Sequence, residues 1–137
     1  MSVREKRDYL YLIWKSKENR RQYIIGELSR NDSNYEFRYC DEVFEAQKEG
    51  FTPLVSFPEL ESVYCSKALF PVFESRLPDK KRKDMESILN KYELDEYEPY
   101  QLLKRSGGRL PIDNLYFVEP ILEVSGSFKR KFHVAGA

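Results

Sequence analysis

Residues 9–14 read Tyr-Leu-Tyr-Leu-Ile-Trp, an apolar run of six that is bounded by a charged residue on each side. A run that is apolar on both alternating faces is typical of a strand in the middle of a sheet. Residues 22–28 predict a second strand, in which Gly26 indicates a bulge or a close backbone approach. Residues 35–39 alternate aromatic and charged side chains, as a half-buried strand does. Because short polar connectors join the three strands, they predict an antiparallel meander.

The segment after the meander carries the first helical spacing. Asp41 is placed to cap a short helix in which Val43, Phe44 and Gln47 lie at helical spacing, and Gly50 ends that helix. The stretch that follows contains two prolines, so we expect an extended connection there.

The second half of the chain shows helical spacing three more times before a last strand candidate. The first is an apolar stripe at 68–77 that is helical after Pro71. The second is a helix with Met85, Ile88, Leu89 and Tyr92 on its inward face, and the third is a helix that begins at Asp95 or Glu98 and stops at Gly107-Gly108. The strand candidate follows at 115–118. Together with the meander, these segments predict an α+β fold: a small antiparallel β-sheet with about three helices packed on one side.

Composition limits the class of protein. The chain has 137 residues, 23 basic and 23 acidic side chains, and 41% hydrophobic residues, which suits one domain with a buried core. A net charge of zero argues against nucleic-acid binding by bulk electrostatics alone. No apolar run is long enough to span a membrane, and two unpatterned cysteines are typical of a reducing compartment. We therefore expect a cytoplasmic protein.

Charge is unevenly distributed along the sequence. Residues 1–30 carry eight basic and four acidic side chains, whereas residues 31–62 carry two basic and eight acidic ones. Such blocks suit either separate basic and acidic surfaces, which favour oriented docking to a partner, or solvated faces that alternate by chance. The densest basic run is Lys80-Lys81-Arg82-Lys83, which suits an acidic protein face, phosphate groups or the solvated first turn of a helix.

The residues that carry chemistry do not form a catalytic or metal-binding motif. His133 is the single histidine, and it is far in sequence from Cys40 and Cys65, whereas a metal site needs three or four converging ligands. We therefore expect no metal, no cofactor and no enzymatic activity. An alternative to this expectation is a hydrolase that uses Cys40 or Cys65 as its nucleophile.

Five segments, in order, resemble the N-terminal subdomain of the HipA family. They are Ile25-Gly-Glu-Leu28 followed by Tyr35-Glu-Phe-Arg-Tyr39, Pro53-Leu-Val-Ser-Phe-Pro58, Phe70-Pro-Val-Phe-Glu-Ser-Arg-Leu-Pro78, and Tyr97-Glu-Pro-Tyr-Gln-Leu-Leu103. The family's Glu-Gly after the proline is Asp79-Lys80 here. The resemblance covers about residues 9–105 and implies a HipA N-terminal-like domain, which we assign to residues 1–119.

The C-terminal part resembles a different pattern. Residues 105–113 and 132–137 are similar to bacterial proteins in which a HipA-like region precedes a HIRAN domain, a domain that is associated with binding DNA ends. Residues 120–137 are accordingly interpreted as a connector and the first strand of a truncated HIRAN domain. This resemblance implies, as an alternative function, the N-terminal part of a HIRAN-type DNA-binding protein.

The HipA resemblance implies a role without catalysis. In HipA the kinase chemistry resides in later sequence, and the N-terminal subdomain is a packing and regulatory module, which in split systems is a separate protein that masks its kinase toxin. We therefore expect a protein-interaction module, an antitoxin-like partner of a HipA-type kinase, with nucleic acid as a second possible partner. The candidate partner surface consists of three aromatic residues expected to be exposed and a basic segment: Trp14, Phe51, Phe57, Arg76, Lys80, Lys81, Arg82 and Lys83.

Overall fold

A computed structural model of the chain describes residues 8–32 and 34–120. These residues form five strands and four helices, so the predicted α+β fold is confirmed. In chain order the elements are β1 (Asp8–Lys15), β2 (Gln22–Asn31), β3 (Asn34–Tyr39), α1 (Val43–Lys48), β4 (Tyr64–Ser66), α2 (Pro71–Glu74), α3 (Met85–Lys91), α4 (Pro99–Ser106) and β5 (Leu115–Val118). The predicted connector and HIRAN strand at 120–137 lie, apart from Pro120, outside the described residues.

The five strands form one antiparallel sheet in the order β4-β3-β2-β1-β5. The first three strands are the predicted meander, and the strand at 115–118 joins it beside β1, where Tyr11 is opposite Val118. The sheet therefore has two edges, one at β4 and one at β5.

Gly26 accounts for an irregularity in the centre of the sheet. Leu12 pairs with Gly26 but Ile13 pairs with Ile24, so β2 carries one extra residue at this point. A Cβ atom at position 26 would lie 2.5 Å from Cζ of Phe37 on β3, which is far inside van der Waals contact. The bulge that the sequence indicated is therefore present, and the closest approach to Gly26 is made by the Phe37 side chain, while the backbone carbonyl of Arg38 would lie 3.3 Å from the same Cβ atom.

The main hydrophobic core lies on one face of the sheet, under the helices. Helices α1, α2 and α4 contribute Val43, Ala46, Phe73, Tyr100 and Leu103 to it, and the strands contribute apolar side chains such as Leu10, Leu12, Ile25, Leu28 and Phe37. A smaller cluster, built on Ile13 and Tyr116, lies on the opposite face. Among the described residues, α3 contributes to neither cluster, although Met85 on its predicted inward face is buried.

Two helix boundaries differ from the sequence prediction. The N-cap of α1 is Glu42 and not Asp41, and the Glu42 side chain accepts a hydrogen bond of 2.8 Å from the backbone N–H of Ile24 on β2. Helix α2 ends at Glu74, although the apolar stripe continues to Leu77. Beyond Glu74 the chain makes tighter turns, in which the N–H of Leu77 donates to the carbonyl of Glu74 at 3.0 Å.

Helix α4 begins and ends as its sequence predicts. The carboxylate of Glu98 accepts a hydrogen bond from the backbone N–H of Gln101 at 3.3 Å, and Pro99 occupies the first turn. Gly107, with φ of +84°, ends the helix in the left-handed conformation that favours glycine. In the part of the chain that the structure describes, no helix has the length and apolar character needed to cross a membrane.

Candidate functional site

Of the three aromatic residues predicted to form an exposed surface, two are buried and the third is partly buried. Phe51 and Phe57 are only 6% and 2% exposed, and Trp14 is partly buried against the main core. The Trp14 ring contacts Phe51 edge-on, with centroids 5.6 Å apart, while Phe57 packs 4.6 Å from Phe37. The expectation of exposure was therefore wrong, because the proline-containing connection folds back over the sheet and buries its aromatic side chains.

Tyr39 holds this connection in place. Its hydroxyl donates a hydrogen bond of 2.7 Å to the carbonyl of Phe57 and accepts one of 2.9 Å from the N–H of Leu54. A polar group buried at the end of β3 is thus satisfied by the backbone of the segment that covers it. Phe51 and Phe57 therefore stabilise the fold and are not accessible to a partner.

Arg76 was also predicted at the partner surface, and the structure places it in a buried ion pair. Its side chain is 6% exposed and makes two hydrogen bonds to the carboxylate of Asp113, at 2.7 and 3.0 Å. The guanidinium also donates to the carbonyls of Gly108 and Leu115. Burial alone would raise the pKa of Asp113, but hydrogen bonds from Arg76 and from the Leu115 amide outweigh it and lower that pKa. Arg76 therefore joins α2 to the segment before β5.

The basic run is exposed, as a partner surface requires, but part of its charge is already compensated. Arg82 pairs with the neighbouring Asp84, and this hydrogen bond lowers the pKa of the Asp84 carboxyl. The ammonium group of Lys80 lies 5.9 Å from the centre of the Tyr97 ring. Lys81 and Lys83 remain as exposed cations with no ion pair among the described residues.

The two cysteines differ in their surroundings. Burial, followed by the charge of Glu27, raises the pKa of the Cys40 thiol to about 12, so Cys40 is protonated at neutral pH and is a poor nucleophile. Cys65 is exposed on the edge strand β4. Within residues 8–32 and 34–120, no three His, Cys, Asp or Glu side chains form a group that could hold a metal ion. His133 lies outside the described residues.

A groove at the β4 edge of the sheet exposes two large apolar side chains. We call it the β4 groove; its volume is about 270 Å³, and its lining includes Leu60, with Phe44 and Val63 at 46% and 55% exposure. Sequence reasoning gave Phe44 no surface role, because it grouped this residue with Val43 at helical spacing. In a helix of six residues, however, Val43 and Ala46 are the buried pair, and Phe44 faces outward.

The β4 groove is acidic. Asp41 and Glu61 both line it. The one cation in its lining, Arg38, lies 3.6 Å from the buried carboxylate of Glu27, so its charge is offset from within the sheet. The acidic surface expected from residues 31–62 therefore coincides with an exposed apolar patch. This combination suits a partner segment with an apolar side chain beside Lys or Arg.

Comparisons with known proteins agree with this fold. The sequence profile of the HipA N-terminal domain family matches residues 20–111. The structure is similar to a solved structure, the N-terminal domain of HipA toxin, with a TM-score of 0.53 and 21% sequence identity, over 89% of this chain and 100% of that chain. No curated protein sequence matches the chain significantly. The resemblance to HipA is thus confirmed, whereas none of these comparisons supports the HIRAN resemblance.

Proposed function

Because the chain belongs to the HipA N-terminal domain family, we propose that it is a non-catalytic interaction module that binds a HipA-type kinase. The observation that carries this proposal is the family match over residues 20–111. The matched domain is the part of HipA outside the kinase, so the relevant chemistry lies in what it contacts. The family also supplies a toxin–antitoxin context, in which such a module regulates the kinase.

The β4 groove is the surface that we assign to this role. Phe44 and Val63 are apolar and exposed and line the same groove, as residues at the centre of a protein interface do. Val63 directly precedes the edge strand β4, whose outer side has no strand partner among the described residues. A segment of the kinase can therefore pair along this edge while it places an apolar side chain in the groove.

Charge selects the segment that binds. The carboxylates of Asp41 and Glu61 repel an acidic segment and attract a basic one, while Arg38 is offset by Glu27. We therefore propose that the kinase segment carries an apolar residue flanked by Lys or Arg.

The test is complex formation between the purified chain and HipA-type kinases from the same host, with kinase autophosphorylation measured in parallel. We expect a stoichiometric complex that lowers the kinase activity. Phe44→Ala should raise the dissociation constant about 10- to 30-fold, as loss of an aromatic residue at the centre of an interface does. Val55→Ala is the matched control, because Val55 is 96% exposed and does not line the groove.

Two results would contradict the proposal. The kinase assignment is wrong if none of the host's HipA-type kinases binds the chain. If a complex forms but Val55→Ala weakens it as much as Phe44→Ala, the β4 groove is not the contact surface.

A further inference from the structure

A second cleft lies at the opposite edge of the sheet, where Gly107 and Gly108 turn the chain from α4 back towards β5. Both glycines have positive φ angles, and a Cβ atom at Gly108 would lie 2.5 Å from a methyl carbon of Leu103. The N–H of Phe117 then donates to the carbonyl of Gly107 at 2.8 Å, which fixes the segment between them. This segment and the end of β1 enclose a cleft of about 400 Å³, which we call the β5 cleft.

The β5 cleft combines two cations with an apolar wall. Lys15 and Arg109 line it, together with Leu110, Pro111, Leu115 and Tyr116. The guanidinium carbon of Arg109 lies 3.8 Å from the centre of the Tyr116 ring, so a cation–π contact holds the guanidinium at the wall of the cleft. The planar fork of a guanidinium can bind a carboxylate through two parallel hydrogen bonds.

The positive charge of the β5 cleft is not offset from within. In the part of the chain that the structure describes, neither Lys15 nor Arg109 has a carboxylate within ion-pair distance. Asp113 is the one acid in the lining, and both of its oxygens accept hydrogen bonds from Arg76. A ligand in the cleft therefore meets two available cations and a carboxylate that is already neutralised.

We propose that the β5 cleft binds an acidic segment of a partner protein, with a Glu or Asp carboxylate on Arg109 and an apolar side chain against Leu110 and Pro111. This inference rests on the proposed function only in taking the ligand to be a protein. Apolar lining favours a side chain beside the carboxylate over a bare anion. The two sites have opposite charges and lie at opposite edges of a five-stranded sheet, whose two edge strands are roughly 19 Å apart at the usual strand spacing. A partner that carries both kinds of segment is then bound in one orientation.

The experiment is a titration of the ¹⁵N-labelled full chain, followed by NMR, with a hexapeptide of alternating glutamate and leucine. A lysine–leucine hexapeptide and a short DNA duplex are titrated in parallel at the same salt concentration. We expect the acidic peptide to shift the signals of Lys15, of residues 109–116 and of the Arg109 side chain. Arg109→Gln should weaken this binding about tenfold, and Arg109→Lys, which keeps the charge but loses the paired donors, severalfold. Lys83→Gln removes the same charge from an exposed position outside the cleft and should leave binding unchanged.

The outcomes separate this inference from the kinase proposal, because the titration contains no kinase. Absence of shifts at 109–116, or equal losses for Arg109→Gln and Lys83→Gln, would overturn the inference and leave the kinase result untouched. Tighter binding of the DNA duplex than of the acidic peptide in the cleft would also overturn it. Shifts that require Arg109 would support the acidic-peptide site even where the β4 groove fails to bind a kinase.

Discussion

Replacement of Arg76 by methionine should destabilise the fold, because it removes one partner of a buried ion pair. The variant keeps a side chain of similar length, so packing around the stem is largely retained. It loses the hydrogen bonds to the carboxylate of Asp113 and to the carbonyls of Gly108 and Leu115. These groups then stay in the protein without the donor that satisfied them.

The magnitude follows from the burial of the two partners. Removal of one member of a fully buried pair costs about 3–5 kcal/mol. Arg76 is 6% exposed but Asp113 is 32% exposed, so water can hydrate the remaining carboxylate, and we expect the lower end, about 3 kcal/mol. The usual unfolding entropy per residue gives roughly 0.29 kcal/mol/K for a chain of this length, so the melting temperature should fall by about 10 °C.

Urea unfolding followed by the fluorescence of Trp14, the single tryptophan, measures this change directly. Asp113→Asn and the double variant with Arg76→Met complete a double-mutant cycle, in which we expect a coupling of about 1–2 kcal/mol. Arg82→Met is the matched control, because Arg82 forms its ion pair with Asp84 at the surface, and its unfolding midpoint should not change. If Arg76→Met and Arg82→Met unfold at the same urea concentration, the stabilising role of the buried pair is refuted.

Three further results are expected. Gly26→Ala should lower the free energy of unfolding by about 2 kcal/mol, because its Cβ would overlap the Phe37 ring. A smaller residue at position 37 should relieve this overlap, so urea unfolding of the double variant should show a loss of free energy smaller than the sum of the two single losses. The pKa of Asp113 is lowered in the folded state. The ionised carboxylate therefore stabilises the fold fully above its unfolded pKa of about 3.9, and this contribution is lost as the pH falls through the lower folded pKa. The difference in unfolding free energy between the native chain and Asp113→Asn should accordingly shrink below about pH 4. Thiol labelling of the folded chain at neutral pH should modify Cys65 much faster than Cys40, because the Cys40 thiol has a raised pKa and is partly buried, and equal labelling rates for both would contradict the raised pKa of Cys40.

The strands were predictable because their signal is local. The alternation at 35–39 and the apolar run at 9–14 each depend on neighbouring residues, and both segments are strands in the structure. The irregularity at Gly26 could be predicted for the same reason, since a glycine inside a strand pattern indicates a bulge or a close approach without any knowledge of which segment approaches. The end of helix α4 at Gly107 could likewise be predicted from the residues beside it.

The candidate site was harder to predict because exposure is not a local property. Phe51 and Phe57 lie in a segment without periodicity, and their burial depends on contacts with β1 and β3, which are distant in sequence. Arg76 is part of a basic stretch in the sequence, and only the fold brings Asp113 to it, 37 positions away. Phe44 fits helical spacing well but belongs to a helix too short for that spacing to decide which side is buried. Whether any of the proposed residues contacts a partner stays a prediction.

The pairing of β5 with β1 has a consequence for the order in which the chain folds. The partners Tyr11 and Val118 are about a hundred residues apart, so bringing them together costs roughly 4 kcal/mol of chain entropy, whereas the turns between β1, β2 and β3 are short. We expect the meander to form first and β5 to add last. During synthesis, the outer edge of β1 then stays open until nearly the whole described chain has left the ribosome, and in that interval Ile13 lacks its neighbour Tyr116. A ribosome that pauses before residue 115 would therefore expose an unpaired strand edge to other chains. The timing of β5 synthesis thus influences how much of the protein aggregates before it folds.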